Sequence, residues 1–258
     1  MTPHSAPQAD RWLVPYGTCP EPEFRVVCFP HAGGSASYYP WLRSAVPPTG
    51  ELLCVQYPGR QERHREAPVE RFGPMVETVT ELLRARPRLP LVLFGHSLGS
   101  LIAYETALAL GDDAGPLRGL IVSGRRAPSV RPPSRAREMT TRQVLAEARV
   151  LGGIDPALLN DPGVLELILP ALRADYRLAE SYVPEPGAAV SCPMTVLTGT
   201  TDPRVSSEDA AAWRTHTTGT CTVHEVEGGH FFFENERRTV LGLIGHALDG
   251  MLGRAVRA

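Results

Sequence analysis

The segment that most restricts how this chain can fold is Gly95-His96-Ser97-Leu98-Gly99. It lies between the apolar run Leu91-Val92-Leu93-Phe94 and the apolar helical stretch Leu101-Ile102-Ala103-Tyr104. A strand that turns at once into a helix brings two backbones almost into contact, and glycine is the residue that tolerates this. A serine at the apex of such a turn takes a strained backbone conformation, with its hydroxyl held clear of both elements. The five-residue pattern alone recurs by chance. With a strand before it and a helix after it, it predicts a serine elbow at the end of a sheet.

Around the elbow, apolar runs alternate with helical patterns. Strands are expected near Arg25–Phe29, Leu52–Gln56, Leu91–Phe94, Leu120–Ser123, Met194–Thr198 and Thr220–Val226. Helices are expected near Tyr38–Ala45, Pro74–Arg86, Ser97–Leu110, Ser206–His216 and Glu234–Leu248. This alternation predicts an α/β fold, a mostly parallel central sheet flanked by helices. Trp12-Leu13-Val14 reads as a short edge strand. One stretch breaks the rhythm. About 70 residues separate the strand ending at Ser123 from the one starting at Met194, where a crossover needs only a dozen or more. The stretch opens with Ala127-Pro128-Ser129-Val130-Arg131-Pro132-Pro133, and helical patterns follow over Thr141–Leu151, Ala157–Asn160 and Pro162–Tyr182. The expectation is one domain over 1–258 with a helical lid insertion at about 125–190, beside the carboxyl ends of the strands.

Composition narrows the class. A net charge of −2 over 258 residues gives no general attraction to nucleic acid or to an anionic membrane. The five cysteines are scattered, and Cys28 and Cys54 fall inside apolar strands, so reduced thiols and a cytoplasmic setting are expected. The first ten residues are polar and carry no apolar signal core.

A serine hydroxyl is a weak nucleophile until a base takes its proton and a third group orients that base. On a sheet of this kind the chain order is serine, acid, histidine. His230 is the candidate base: Gly228-Gly229 allow a tight loop, and Phe231-Phe232-Phe233 would shield the ring from water. Of the other histidines, His96 sits within the elbow, His64, His216 and His246 read as surface residues, and His224 reads as structural. Asp202, in Gly199-Thr200-Thr201-Asp202-Pro203, is the candidate acid, whereas Asp209 reads as a helix-surface charge. The loop after the preceding strand, Gly124-Arg125-Arg126-Ala127, offers no carboxylate. An oxyanion needs backbone donors: the Leu98 amide is one, and Ala32 in Phe29-Pro30-His31-Ala32-Gly33-Gly34-Ser35 is the other candidate. No cluster suggests a metal or cofactor.

The stretches Cys28-Phe29-Pro30-His31-Ala32-Gly33-Gly34-Ser35, Tyr57-Pro58-Gly59-Arg60, Gly95-His96-Ser97-Leu98-Gly99 and Gly228-Gly229-His230-Phe231-Phe232 together resemble the stand-alone type II thioesterases of polyketide and nonribosomal peptide biosynthesis. The likeness runs from about Trp12 to Leu248, and it rests on the combination rather than on any one motif. It implies an α/β-hydrolase fold with a mobile helical lid. It also implies hydrolysis of stalled or aberrant acyl groups from the phosphopantetheine arm of a carrier protein, met transiently. Nothing in the sequence demands more than a monomer. The acid after the later strand, at Asp202, fits the editing type; releasing thioesterases commonly carry it where this chain has Gly124-Arg125. Methionine is frequent in the family where Leu98 stands. The arginines at 125, 126, 131, 135, 137, 142 and 149 face only Glu138 and Glu147 in sequence, so Arg125, Arg126 and Arg131 are candidates for docking the carrier or its phosphate. Arg60 and Arg63 are weaker candidates. A general serine esterase or acyltransferase, or a non-catalytic carrier-binding protein, remains open at this point.

Overall fold

Seven strands form one sheet in the order β1-β3-β2-β4-β5-β6-β7. They are β1 (Leu13–Pro15), β2 (Phe24–Phe29), β3 (Gly50–Val55), β4 (Leu91–His96), β5 (Leu117–Ser123), β6 (Met194–Gly199) and β7 (Cys221–Val226). The structure is a computed structural model that describes residues 11–111, 116–130, 139–154 and 157–254. β1 pairs antiparallel with β3, and every other neighbouring pair is parallel. The edge strand expected from Trp12-Leu13-Val14 is therefore present, one residue further on.

Strand side chains alternate between two faces, and both faces are covered. Val27, Phe29, Leu93, Leu120 and Val122 pack on one side, with α1 (Phe72–Arg84) and α2 (Leu98–Leu110). Val26, Cys28, Val92, Phe94 and Ile121 pack on the other, where α6 (Arg237–Met251) contributes Val240, Ile244 and Leu248. α2 is apolar nearly all round, as a helix enclosed by sheet and neighbours must be.

The helical insertion lies between β5 and β6. It comprises α3 (Thr141–Leu151), a 3₁₀ turn (Leu158–Asn160) and α4 (Pro162–Ser181). Thr140 and Gln143 form a capping box on α3, and the Asp161 carboxylate accepts from the Gly163 and Val164 amides at the start of α4. The insertion has its own small core of Val144, Ala148, Leu159 and Leu172. Pro170 sits inside α4, and the buried residues of that helix (Ala171, Leu172, Ala174, Asp175 and Leu178) all follow it.

Three expected helices differ. The one over Tyr38–Ala45 is two 3₁₀ turns, Ala36–Tyr38 and Pro40–Ala45, because Pro40 lacks an amide donor and keeps Tyr39 out of the helical region (φ −109, ψ 16). The one over Ser206–His216 is a short α5 (Ser207–Ala211) tightened into a 3₁₀ turn (Ala212–His216). The last begins at Arg237 rather than Glu234, after a 3₁₀ turn at Phe232–Glu234. Among the described residues no helix is long and apolar enough to cross a membrane.

Candidate active site

Ser97 has φ 54 and ψ −117, a region that non-glycine residues rarely enter. Neighbouring glycines make the turn possible. A Cβ at Gly95 would lie 2.3 Å from the Gly99 carbonyl oxygen, and one at Gly99 would lie 1.9 Å from that of Phe29. The end of β4, the start of α2 and the end of β2 therefore touch through backbone alone. The Ser97 amide donates to the Ser123 carbonyl at 2.8 Å, which ties the elbow to β5. The Leu98 amide opens α2 and donates to nothing among the described residues.

The loops after β6 and β7 meet in the same way. A Cβ at Gly199 would strike the Gly229 carbonyl oxygen at 2.2 Å, and the Thr201 amide donates to the Gly228 carbonyl at 2.9 Å. This contact brings Asp202 and His230 together: His230 Nδ1 lies 2.7 Å from Asp202 Oδ2. Asp202 Oδ1 accepts from the Arg204 amide at 2.8 Å. Both side chains are buried. An ionised carboxylate only accepts, so the bond places the imidazole proton on Nδ1 and leaves a lone pair on Nε2. His230 Nε2 is buried and has no hydrogen-bond partner. The ring lies against the elbow: its centroid is 5.0 Å from that of His96, and a Cβ at Gly124, just after β5, would meet both rings, 2.5 Å from His96 Cε1 and 3.4 Å from His230 Cε1.

The loop after β2 supplies backbone donors. The His31 amide donates to Tyr39 Oη, the Gly33 amide to Asp175 Oδ2 at 2.7 Å and the Gly34 amide to the His31 carbonyl at 2.9 Å. Ala32 is the one residue of the four whose amide donates to nothing among the described residues. Since Gly99 packs on Phe29 and Pro30, this loop lies beside the elbow.

Aromatic rings close over the site. Phe231, Phe232 and Phe233 are buried, and Phe231 stands edge-on to His31 and His230. Burial, with the neighbouring His230 and Arg60, pulls the His31 imidazole down to about 3. Burial likewise holds His96 well below its ordinary value, and its Nδ1 pairs with Ser123 Oγ at 2.9 Å. In both rings burial favours the neutral imidazole.

The arginines singled out in the sequence lie in different settings. Arg125 has a buried Nε without a partner, and desolvation, ahead of repulsion from Arg126 and Arg204, lowers its guanidinium to about 10. Arg126 is half-buried and donates to the Arg204 carbonyl. Arg131 lies outside the described residues. Arg60 and Arg63 are buried, not surface-facing: Arg60 forms a two-point ion pair with Asp175 (2.6 and 2.9 Å), and Arg63 lies over the Trp12 ring and pairs with Glu66. His216 is buried as well, pairing with Tyr104 and Ser129. Sequence reasoning missed Asp175. Its one signal was an acid among Ala171, Leu172, Ala174 and Leu178, the residues that α4 buries.

Comparison with known proteins agrees with this architecture. The thioesterase domain model matches residues 24–248. A probable cadicidin biosynthesis thioesterase of Streptomyces griseus is 41% identical over 93% of the chain, which spans 66% of that protein's length. Thioesterase PikA5 of Streptomyces venezuelae is 42% identical over 87% of this chain and 81% of its own. The type II thioesterase BorB of the borrelidin cluster superposes with a TM-score of 0.83 at 38% identity, covering 92% of this chain and 97% of its own. The chain belongs to the thioesterase family of the α/β-hydrolase fold and stands with its type II members.

Proposed function

We propose that the protein is an editing thioesterase that clears aberrant or stalled acyl groups from the phosphopantetheine arm of carrier proteins in polyketide or nonribosomal peptide synthesis. The observation that carries this reading is the Asp202–His230 bond of 2.7 Å beside an elbow serine, with His230 Nε2 buried and unpaired. Ser97 Oγ attacks the thioester carbonyl while its proton passes to His230 Nε2. The oxyanion is met by the Ala32 and Leu98 amides. The carbon–sulfur bond breaks, and the imidazolium returns its proton to the departing thiol. Water then adds to the acyl-enzyme with His230 again as base; the acid leaves and Ser97 regains its proton. Asp202 keeps the ring in the correct tautomer and stabilises its charged form. The steps draw on side chains, backbone amides and water, without a cofactor.

The carrier is a transient partner, and the protein works as a monomer in the cytoplasm; its free cysteines suit a reducing compartment. Arg125, Arg126 and Arg131 are the arginines proposed to meet the carrier's phosphate. The α3–α4 insertion is the lid.

Two assays test the reading. A serine-directed fluorophosphonate should label the wild type and not Ser97→Ala, and kcat on acyl-pantetheine thioesters should fall about 10⁴-fold or more in that variant. Acyl-carrier thioesters should be hydrolysed faster than simple oxygen esters of the same acids. Equal rates on both would favour a general esterase, and labelling without hydrolysis would favour a transferase.

A further inference from the structure

The Asp175 carboxylate is 1% exposed, on a helix that belongs to the insertion and not to the sheet. A carboxylate so removed from water needs compensation at every oxygen. Its partners come from two other elements. Arg60, in the loop after β3, holds both oxygens and passes a further hydrogen bond from Nη1 to the Gly34 carbonyl at 3.1 Å. The Gly33 amide, in the loop after β2, donates to Oδ2 at 2.7 Å. Gly33 has φ +76, and a Cβ there would lie 2.7 Å from Leu172 Cδ1, so α4 rests directly on this loop.

The consequence falls on Ala32. The bond to Asp175 fixes the peptide that follows Ala32. The Gly34-to-His31 bond closes the turn around it, and Tyr39 takes the amide before it. With its neighbours committed, the Ala32 amide is left to point at a developing charge. A misplacement of about 1 Å in such a donor can cost on the order of 10²-fold in rate. We propose that Asp175 is a positioning residue: from the lid helix it sets the loop that carries the Ala32 oxyanion donor, with Arg60 orienting its carboxylate. Turnover then depends on α4 being seated. The inference rests on the serine-hydrolase reading above.

The test uses the full chain with two variants. Asp175→Asn keeps the shape but leaves Arg60 without its counter-charge. The double variant Arg60→Met/Asp175→Leu replaces the ion pair with apolar bulk, a change that buried pairs often tolerate without loss of stability. In both, kcat on an acyl-pantetheine thioester should fall about 10- to 100-fold with KM within about twofold. Affinity for an acyl trifluoromethyl ketone, whose adduct places an oxyanion on the same amides, should weaken by the same factor. A variant with wild-type melting temperature and kcat within twofold would overturn the proposal. So would a loss of kcat that leaves the ketone's affinity untouched. If the double variant does not fold, Asp175→Asn decides by the same criteria. The rate of Ser97 labelling by a fluorophosphonate is read alongside. It needs no thioester turnover, so failure of the thioesterase reading is seen separately from failure of this one.

Discussion

The strand ends and the helical insertion are built on opposite principles. At the strand ends, backbone meets backbone: Gly99 against Phe29, Gly95 against Gly99 and Gly199 against Gly229, with no room for a methyl group at any of them. The insertion has only four buried side chains in its own core and is tied to the rest by side chains, among them Leu178, the Asp175 ion pair and the Glu147–Arg204 pair, and it leaves Val150 and Leu167 largely exposed. Interiors packed through main chain have no soft coordinate along which to relax, whereas a small side-chain core opens at a fraction of the global stability. On the reading proposed above, the chemistry rests on the tightly packed part and access to it on the looser one.

Gly99→Ala attacks the rigid half. The added methyl has only backbone to displace, so about 3 kcal/mol of stability should go, together with most activity, as read by urea midpoint and thioester hydrolysis. A variant that kept both would show that the elbow yields, and the contrast would fail.

Leu172→Ala attacks the soft half. Deleting this buried leucine from the insertion core should cost about 2 kcal/mol. The loss should appear as faster hydrogen exchange in α3 and α4, with exchange in β4 and α2 unchanged. Equal acceleration in both regions would mean that the insertion is not a separate cooperative unit.

Acid sharpens the difference further, because the insertion contains no histidine while His31 and His96 are buried at the strand ends. Their imidazoles titrate well below the unfolded value near 6.5. Below pH about 6.5 the unfolded chain takes up protons that the fold refuses, so stability is whole above that pH and declines as pH falls. The decline is at most about 1.4 kcal/mol per pH unit for each ring, and it ends for His31 near its folded value of about 3. His96→Gln should flatten the slope of urea midpoint against pH between 4 and 6 by one ring's share. An unchanged slope would remove His96 from the account.

What could be read in the sequence follows from the range of the interactions. Ser97 and Asp202 each lie just beyond an apolar strand and His230 beyond the mixed strand β7, all in loops rich in glycine, and chain order assigns them roles before any contact is known. The parallel sheet is legible for the same reason, since each strand carries its own alternating or fully apolar pattern. Arg60 and Asp175 are 115 residues apart, and nothing local to either names the other. Arg60 therefore reads only as a weak candidate for docking the carrier until α4 is seen lying on it. His216 is misread likewise, because its partners Tyr104 and Ser129 come from distant segments. The turns at 36–45 escape detection because Pro40 interrupts an apolar pattern too short to separate α from 3₁₀ geometry.

Pro170 divides α4 at the point where its contacts change. It lacks the amide that would bond back toward Glu166, and its ring crowds that carbonyl, so the helix has a missing rung there. The buried residues of the helix, Asp175 included, all lie on the carboxyl side of the gap, while Leu165, Ile168 and Leu169 before it are partly buried against the insertion's own core. On the lid reading proposed above, this gap is where the amino-terminal turns would bend while the other half keeps its hold. An acyl chain would then enter without loosening the donor proposed for its oxyanion.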